Sequence, residues 1–202
     1  MAITMDRKEL MFVNSSIREF FQKHHEFRIF KSFLVANNID LHNAVIVDAG
    51  CGSGYSSELL VNEFHPRELF AFDVMPEQIE RARKRGLSAT FFVGDVTSID
   101  LPSQKCDAVF VFAFLHHVPQ WKKALQELER ILKPGGVLLI EELNKKTLDD
   151  AERYLRVYHS KESRFEWPEF IDGLEEAGFS IIEDRMIYVG HGRGFMCLKK
   201  RK

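Results

Sequence analysis

The chain has 202 residues, 45% of them hydrophobic and 12% aromatic, enough to build the core of one domain and unlike a disordered polymer. Its net charge of −2 supplies no global attraction to nucleic acid or to an anionic membrane. Cys51, Cys106 and Cys197 lie singly, without C-x-x-C spacing, which argues against a disulfide framework or a cysteine-rich metal site and fits a reducing compartment.

Met1–Arg7 carries no apolar leader, and no apolar run reaches the roughly 18 residues that span a bilayer. The expectation is a cytoplasmic protein. From about residue 5 to 37, apolar residues recur at helical spacing: Leu10, Val13, Ile17, Phe20, Phe21, Phe27, Phe30 and Leu34. Ser16-Ile17-Arg18-Glu19 fits a capping box, which splits this stretch into two helices. They form an N-terminal helical cap over residues 1–40, ahead of a domain over 41–202.

From residue 43 short strands alternate with helices. Ala44–Val47 is a β-branched run ending at Asp48 and glycine, the pattern of a buried parallel strand. A helix follows over Tyr55–Glu63, then a strand over Leu69–Phe72. Pro76 and Gly86 bracket a second helix, Glu77–Arg85. Ala89–Val93 and Asp107–Phe114 are the third and fourth strands, the latter apolar enough to be covered on both faces.

Pro119–Leu132 has helical period, Lys133–Gly136 reads as a turn, and Val137–Ile140 as the fifth strand. A polar helix over about Thr147–His159 and another over Pro168–Ala177 lead to strands near Ser180–Tyr188 and Arg193–Leu198. Only Val189–Gly192 links these two, so they form a hairpin and the last strand is antiparallel. The closing run Lys199–Lys202 reads as a solvated tail. The alternation predicts an α/β, doubly wound, mostly parallel sheet.

Asp48-Ala49-Gly50-Cys51-Gly52-Ser53-Gly54 is the most informative stretch, because it follows a strand and opens a helix. A dinucleotide loop would read G-x-G-x-x-G, but the sixth position from Gly50 is Tyr55. Asp48 would repel a pyrophosphate and suits a cationic amino-acid head. Both features argue against a nicotinamide oxidoreductase. Asp73, at the tip of the second strand, is placed to accept hydrogen bonds from ribose hydroxyls, and Met75 to lie against an adenine face. Asp95 and the Val96 amide, after the third strand, are candidates for the adenine edge, with a turn cap as the other reading of Asp95.

These residues resemble the class I S-adenosylmethionine-dependent methyltransferases. The likeness runs from about residue 43 to 142, through Val47–Gly54, Phe72–Met75, Gly94–Val96, Asp107–Val118 and Leu132–Ile140. Leu115-His116-His117-Val118 and Leu132-Lys133-Pro134-Gly135-Gly136 are similar to the small-molecule branch that includes quinone-biosynthesis enzymes. The resemblance implies a Rossmann-like seven-stranded sheet with the last strand antiparallel, plus the N-terminal helices. It implies S-adenosylmethionine as cofactor, held by Asp48, Gly50, Gly52, Gly54, Asp73, Met75, Asp95 and Val96, with Phe112 and Ala113 near its methionine part.

Such chemistry needs no nucleophile from the protein, only an acceptor held in line with the methyl group, and positioning alone supplies roughly 7–11 kcal/mol. A base is needed only where the acceptor must lose a proton. His117 and His116, after the fourth strand, are the candidates, alongside a loop-structuring or cofactor-contact role. Tyr154, Tyr158, His159, Phe165 and Trp167 offer an aromatic lid or simple packing. Glu141 and Glu142 either orient the acceptor or end a strand in solvent. His24-His25 lacks partners spaced for a metal, so no metal is expected.

Motifs for methylating bases in nucleic acid are missing, which favours a small-molecule acceptor over nucleic acid. Eighteen phenylalanines fit an apolar interior or pocket for it. The alternative is a regulatory protein that binds the cofactor without turnover. A monomer and a homodimer are equally compatible with the chain.

Overall fold

The computed structural model describes residues 14–156, 160–188 and 192–200. Ser15 caps the first described helix, its Oγ accepting the Arg18 amide at 3.2 Å. The capping box read at Ser16 therefore sits one residue late, since the cap is Ser15. From this cap α1 (Ser16–Phe21) runs through a π-turn, Gln22–Glu26, into α2 (Phe27–Ala36). Residues 16–36 are thus one rod with a π-turn in it, and the helix expected before Ser16 falls on residues 5–13, outside the described residues.

Seven strands follow: β1 (Val45–Ala49), β2 (Glu68–Asp73), β3 (Thr90–Val93), β4 (Cys106–Phe112), β5 (Leu132–Glu142), β6 (Phe179–Tyr188) and β7 (Gly192–Lys199). Their order is β3-β2-β1-β4-β5-β7-β6, with β1–β5 parallel and β7 antiparallel to both neighbours, as the sequence predicts. The intervening helices are α3 (Tyr55–Phe64), α4 (Pro76–Arg83), α5 (Trp121–Ile131), α6 (Lys145–Leu155) and α7 (Trp167–Glu176). β5 begins earlier than expected. Lys133–Gly136 belongs to its irregular start, where pairing with β4 slips between Cys106 and Ala108.

Both faces of the sheet are covered, so its central strands are apolar on both sides. On one face α2 sets Phe27, Phe30 and Phe33 against Phe110, Phe112 and Leu139. On the other, α5 and α7 set Trp121, Leu125, Leu128 and Phe170 against Val109, Val111, Leu138 and Ile140. Full burial of such a side chain contributes about 2–3 kcal/mol. The two-residue alternation carries past the core. Glu141 shares the α2 face with Leu139, and Glu142 the α5 face with Ile140.

The chain end departs from the solvated-tail reading. Lys199 is buried, and its Nζ donates to the carbonyls of Glu129 and Leu132 at 2.8 Å each, satisfying the end of α5. Lys200 is exposed, and 201–202 lie outside the described residues. Among the described residues, no helix is long and apolar enough to cross a membrane.

Candidate active site

The strand order reverses between β1 and β4, which opens a crevice at the carboxyl ends of the strands. Gly50, Gly52 and Gly54 line it with φ of +69°, +51° and +84°, a region that side chains disfavour. The three have different neighbours. A Cβ on Gly50 would stand 2.4 Å from the Phe114 ring, and one on Gly54 2.9 Å from Ala82 of α4. A Cβ on Gly52 would meet nothing within 4 Å. Gly50 and Gly54 serve close packing, while Gly52 presents bare backbone to the crevice.

Asp73 organises this loop from the neighbouring strand. Its Oδ2 accepts the Gly52 amide at 3.0 Å and its Oδ1 the Met75 amide at 2.9 Å. Each carboxylate oxygen has a second lone pair, so both can still accept a hydroxyl. Met75 is half-buried at the start of α4, with Pro76 opening the helix.

Asp48 is fully buried under the loop. Its Oδ2 accepts the hydroxyls of Ser56 and Ser57 at 2.7 and 2.6 Å, while Oδ1 has no partner. Burial pushes its carboxyl up to about 7, against those hydroxyls and with a further push from Asp73. An unpartnered buried carboxylate oxygen is the kind of group a ligand's ammonium would satisfy. Together with bare backbone at Gly52 and open lone pairs on Asp73, it fits the aminoacyl nucleoside that the sequence suggests.

Arg85, which no sequence motif marks, locks the loop from outside. Its Nε donates to the Ser53 carbonyl at 2.8 Å, and its other nitrogens pair with Glu58 of α3 and Glu19 of α1. Cys51 is a packing residue: its amide donates to the Phe72 carbonyl at 3.0 Å, and burial pushes its thiol well up. Asp95 is exposed, and its Oδ1 takes both the amide and the hydroxyl of Thr97, the geometry of a turn cap. The Val96 side chain belongs to the core.

At the β4 tip, Phe112 turns toward α2, its ring 5.3 Å from that of Phe30. Ala113 takes a left-handed φ of +50°, and its amide donates to the Glu141 carbonyl at 3.0 Å. A short 3-10 turn, Leu115–His117, follows. Glu142 holds this turn in place. Its Oε1 accepts the Phe114 and Leu115 amides at 3.0 and 2.6 Å, and its Oε2 lies 2.8 Å from His116 Nδ1. Burial pushes the Glu142 carboxyl up to about 8, the Leu115, Leu143 and Phe114 amides pulling against it.

His116 is buried, its carbonyl accepting the Ser163 hydroxyl at 2.5 Å. His117 is half-buried, its ring 4.2 Å from that of His116. The solvated-strand-end reading fails for both glutamates, since Glu141 and Glu142 are buried. Burial, with the Glu26 charge on the π-turn adding to it, raises the Glu141 carboxyl well above its ordinary range, and both oxygens of Glu26 accept from Arg18 at 2.7 and 2.8 Å.

The aromatic lid is divided. Phe165 is core, packed on Trp121 and Phe170. Trp167 is half-buried beside Phe195, and Tyr154 is exposed. Tyr158 and His159 lie outside the described residues. His24 and His25 are exposed on the π-turn, and no metal-binding cluster occurs among the described residues.

Comparison with known proteins points to a methyltransferase domain. Residues 47–140 match the family described as a methyltransferase domain. A trans-aconitate 2-methyltransferase from Methylobacterium nodulans is 36% identical over 98 residues, covering 48% of this chain and 38% of the relative. A ubiquinone biosynthesis O-methyltransferase from Xanthomonas oryzae is 34% identical over 116 residues, covering 55% and 48%. The chain spans about half, or less, of the length of these two relatives.

Among solved structures, a chain from the complex of the Haloferax volcanii Trm112 methyltransferase activator with a methyltransferase superposes with a TM-score of 0.77. It is 18% identical, over 92% of this chain and 94% of that one. Such a likeness speaks for the fold alone. Motif, strand order and family match converge on residues 47–140, the stretch in which the chain is similar to the S-adenosylmethionine-dependent methyltransferases.

Proposed function

We propose that the protein transfers the methyl group of S-adenosylmethionine to a small-molecule acceptor. The observation that carries this reading is Asp73, whose carboxylate is fixed by the Gly52 and Met75 amides with lone pairs left for two hydroxyls. The cofactor supplies an electrophilic methyl group on a sulfonium. Asp73 orients the ribose, Met75 and the Asp95–Val96 turn border the base, and Asp48 faces the cationic amino-acid end. Phe112 and Ala113 mark the strand tip where the methionine part and the acceptor meet. The helices before residue 40 close over that half.

The histidines divide the work. His116, buried against Glu142, positions the turn, which leaves the half-buried His117 as the residue to take a proton from an acceptor that must lose one. A turnover loss of less than about threefold in His117→Ala, with cofactor binding intact, would rule that base out.

The cofactor reading is tested by calorimetric titration with S-adenosylmethionine and S-adenosylhomocysteine. Micromolar binding, about −8 kcal/mol, is expected for the native protein and is lost in Asp73→Ala. No binding of either nucleoside overturns it. Binding without turnover across a broad acceptor panel would favour the regulatory alternative.

A further inference from the structure

One guanidinium joins the glycine loop to the N-terminal rod. Arg85 follows α4, and its stem runs past Gly54, where an added Cβ would stand 3.4 Å from Arg85 Cδ. Its Nε donates to the Ser53 carbonyl at 2.8 Å. Its Nη1 reaches Glu58 of α3 at 2.6 Å and its Nη2 reaches Glu19 of α1 at 2.9 Å. The group also lies over the Tyr55 ring, 5.4 Å from its centre. All three nitrogens are thus committed, and each to a different element.

Both ends of this link are soft. The Ser53–Gly54 peptide lies between glycines at φ of +51° and +84°. Glycine crosses between backbone regions at little steric cost, so this peptide is free to rotate unless its polar groups are engaged. Rotation would turn the Gly54 amide away from the Cys51 carbonyl, which it meets at 2.9 Å, and would carry the Gly52 backbone with it. At the other end α1 buries none of its side chains, and Ile17 and Phe20 are 61% and 55% exposed. An element with so little buried apolar surface belongs to the low-stability end of a fold. Docking of α1 therefore leans on polar contacts, the one from Glu19 to Arg85 among them.

We propose that Arg85 is a positioning residue that couples α1 to the cofactor loop. With α1 docked, Glu19 orients Arg85, Arg85 fixes the Ser53 carbonyl, and the Gly52 backbone is set for the cofactor. This rests on the methyl-transfer reading, which lays the cofactor against Gly52. Such coupling is reciprocal, so bound cofactor must favour docked α1 by the same factor by which docked α1 favours cofactor. Glu58 still holds Arg85 when Glu19 is lost, which makes the coupling partial.

The test combines calorimetric titration with S-adenosylhomocysteine and hydrogen exchange of the α1 amides, on the native chain, Glu19→Gln, Arg85→Met and the double variant. Glu19→Gln cuts only the link to α1. It should weaken binding about threefold at low salt, and less at about 0.5 M salt. Arg85→Met also frees the Ser53 carbonyl and should weaken binding about tenfold. In the Arg85→Met background, Glu19→Gln should change nothing further, because the two residues act as a unit. S-adenosylhomocysteine should slow exchange of the α1 amides by about threefold in the native chain and leave it unchanged in Arg85→Met.

Native affinity in Glu19→Gln at low salt overturns the proposal. So do losses that add in the double variant, or α1 exchange indifferent to S-adenosylhomocysteine in the native chain. If Arg85→Met does not fold, as judged by denaturant unfolding, Glu19→Gln and the native exchange rates decide. Failure of the native chain to bind S-adenosylhomocysteine would overturn the cofactor reading itself, whereas binding without coupling removes only the link through Arg85.

Discussion

The two halves of the crevice are built on different principles. Over β1–β3 the work is done by backbone: left-handed glycines, amides aimed at Asp73, and a helix start that places Ser56 and Ser57 on Asp48. Over β4 and β5 it is done by side chains from distant segments: Glu142 on His116, and Glu26 with Arg18 on Glu141. A backbone-built site is a local device that tolerates little change. A side-chain-built site can be altered residue by residue while the sheet beneath it stays the same. Under the methyl-transfer proposal, that difference suits a half that binds one common cofactor and a half that must distinguish acceptors.

The largest expected effect tests the backbone half. Gly50→Ala combines a φ of +69° with a Cβ 2.4 Å from the Phe114 ring, so both strain and overpacking oppose it. A loss of about 4 kcal/mol in stability is expected on denaturant unfolding. Gly52→Ala shares the unfavourable φ but has open space, and should cost only about 1 kcal/mol. Its effect should instead appear in S-adenosylhomocysteine affinity, because its Cβ projects where the cofactor would lie. Equal stability losses in the two variants would contradict this division between packing and binding glycines.

Next in size is the anchor of the other half. Glu142→Leu leaves the Phe114 and Leu115 amides without their acceptor and His116 without its partner carboxyl. About 3 kcal/mol of stability should be lost, with S-adenosylhomocysteine affinity nearly unchanged. A variant of native stability would show that the Leu115–His117 turn is held by its own packing, and a variant stable but unable to bind cofactor would erase the distinction between halves.

What was legible in the sequence follows the same line. The strand order, the hairpin at the end and the glycine loop could be read because each is encoded within a few consecutive residues, by two-residue alternation or by glycines at fixed spacing. Asp73 was placed by its distance from the loop. Glu142 reads in the sequence only as an acceptor-orienting group or a solvated strand end, because its partners lie 26 to 28 positions back and no local pattern marks a strand-end glutamate as buried. The π-turn was missed for a related reason: one extra residue within an apolar helical stretch changes which side chains face inward without changing composition. Lys199 sat in a basic run that looked solvated, and only the end of α5, reached through the fold, shows why it is buried.

The smallest effect concerns pH and joins the buried Asp48 to the cofactor. Burial holds this carboxyl at about 7 in the folded chain, against 3.8 ordinarily. The folded protein therefore keeps a proton that the unfolded chain has lost. Its contribution to stability is complete below about pH 4 and disappears as the pH rises through about 7. Cofactor binding should run the other way. A cationic amino-acid head beside Oδ1 favours the ionised form, so binding expels the proton and tightens as the pH approaches 7. Affinity for S-adenosylhomocysteine should be about tenfold weaker at pH 6 than at pH 8, one pKa unit being about 1.4 kcal/mol. Calorimetry in buffers of contrasting ionisation enthalpy would register the released proton, and Asp48→Asn should flatten the profile. Equal affinity at both pH values, with no proton released, would mean that Asp48 serves only to hold Ser56 and Ser57, and the backbone half would then meet the cofactor through Gly52 and Asp73 without a buried charge.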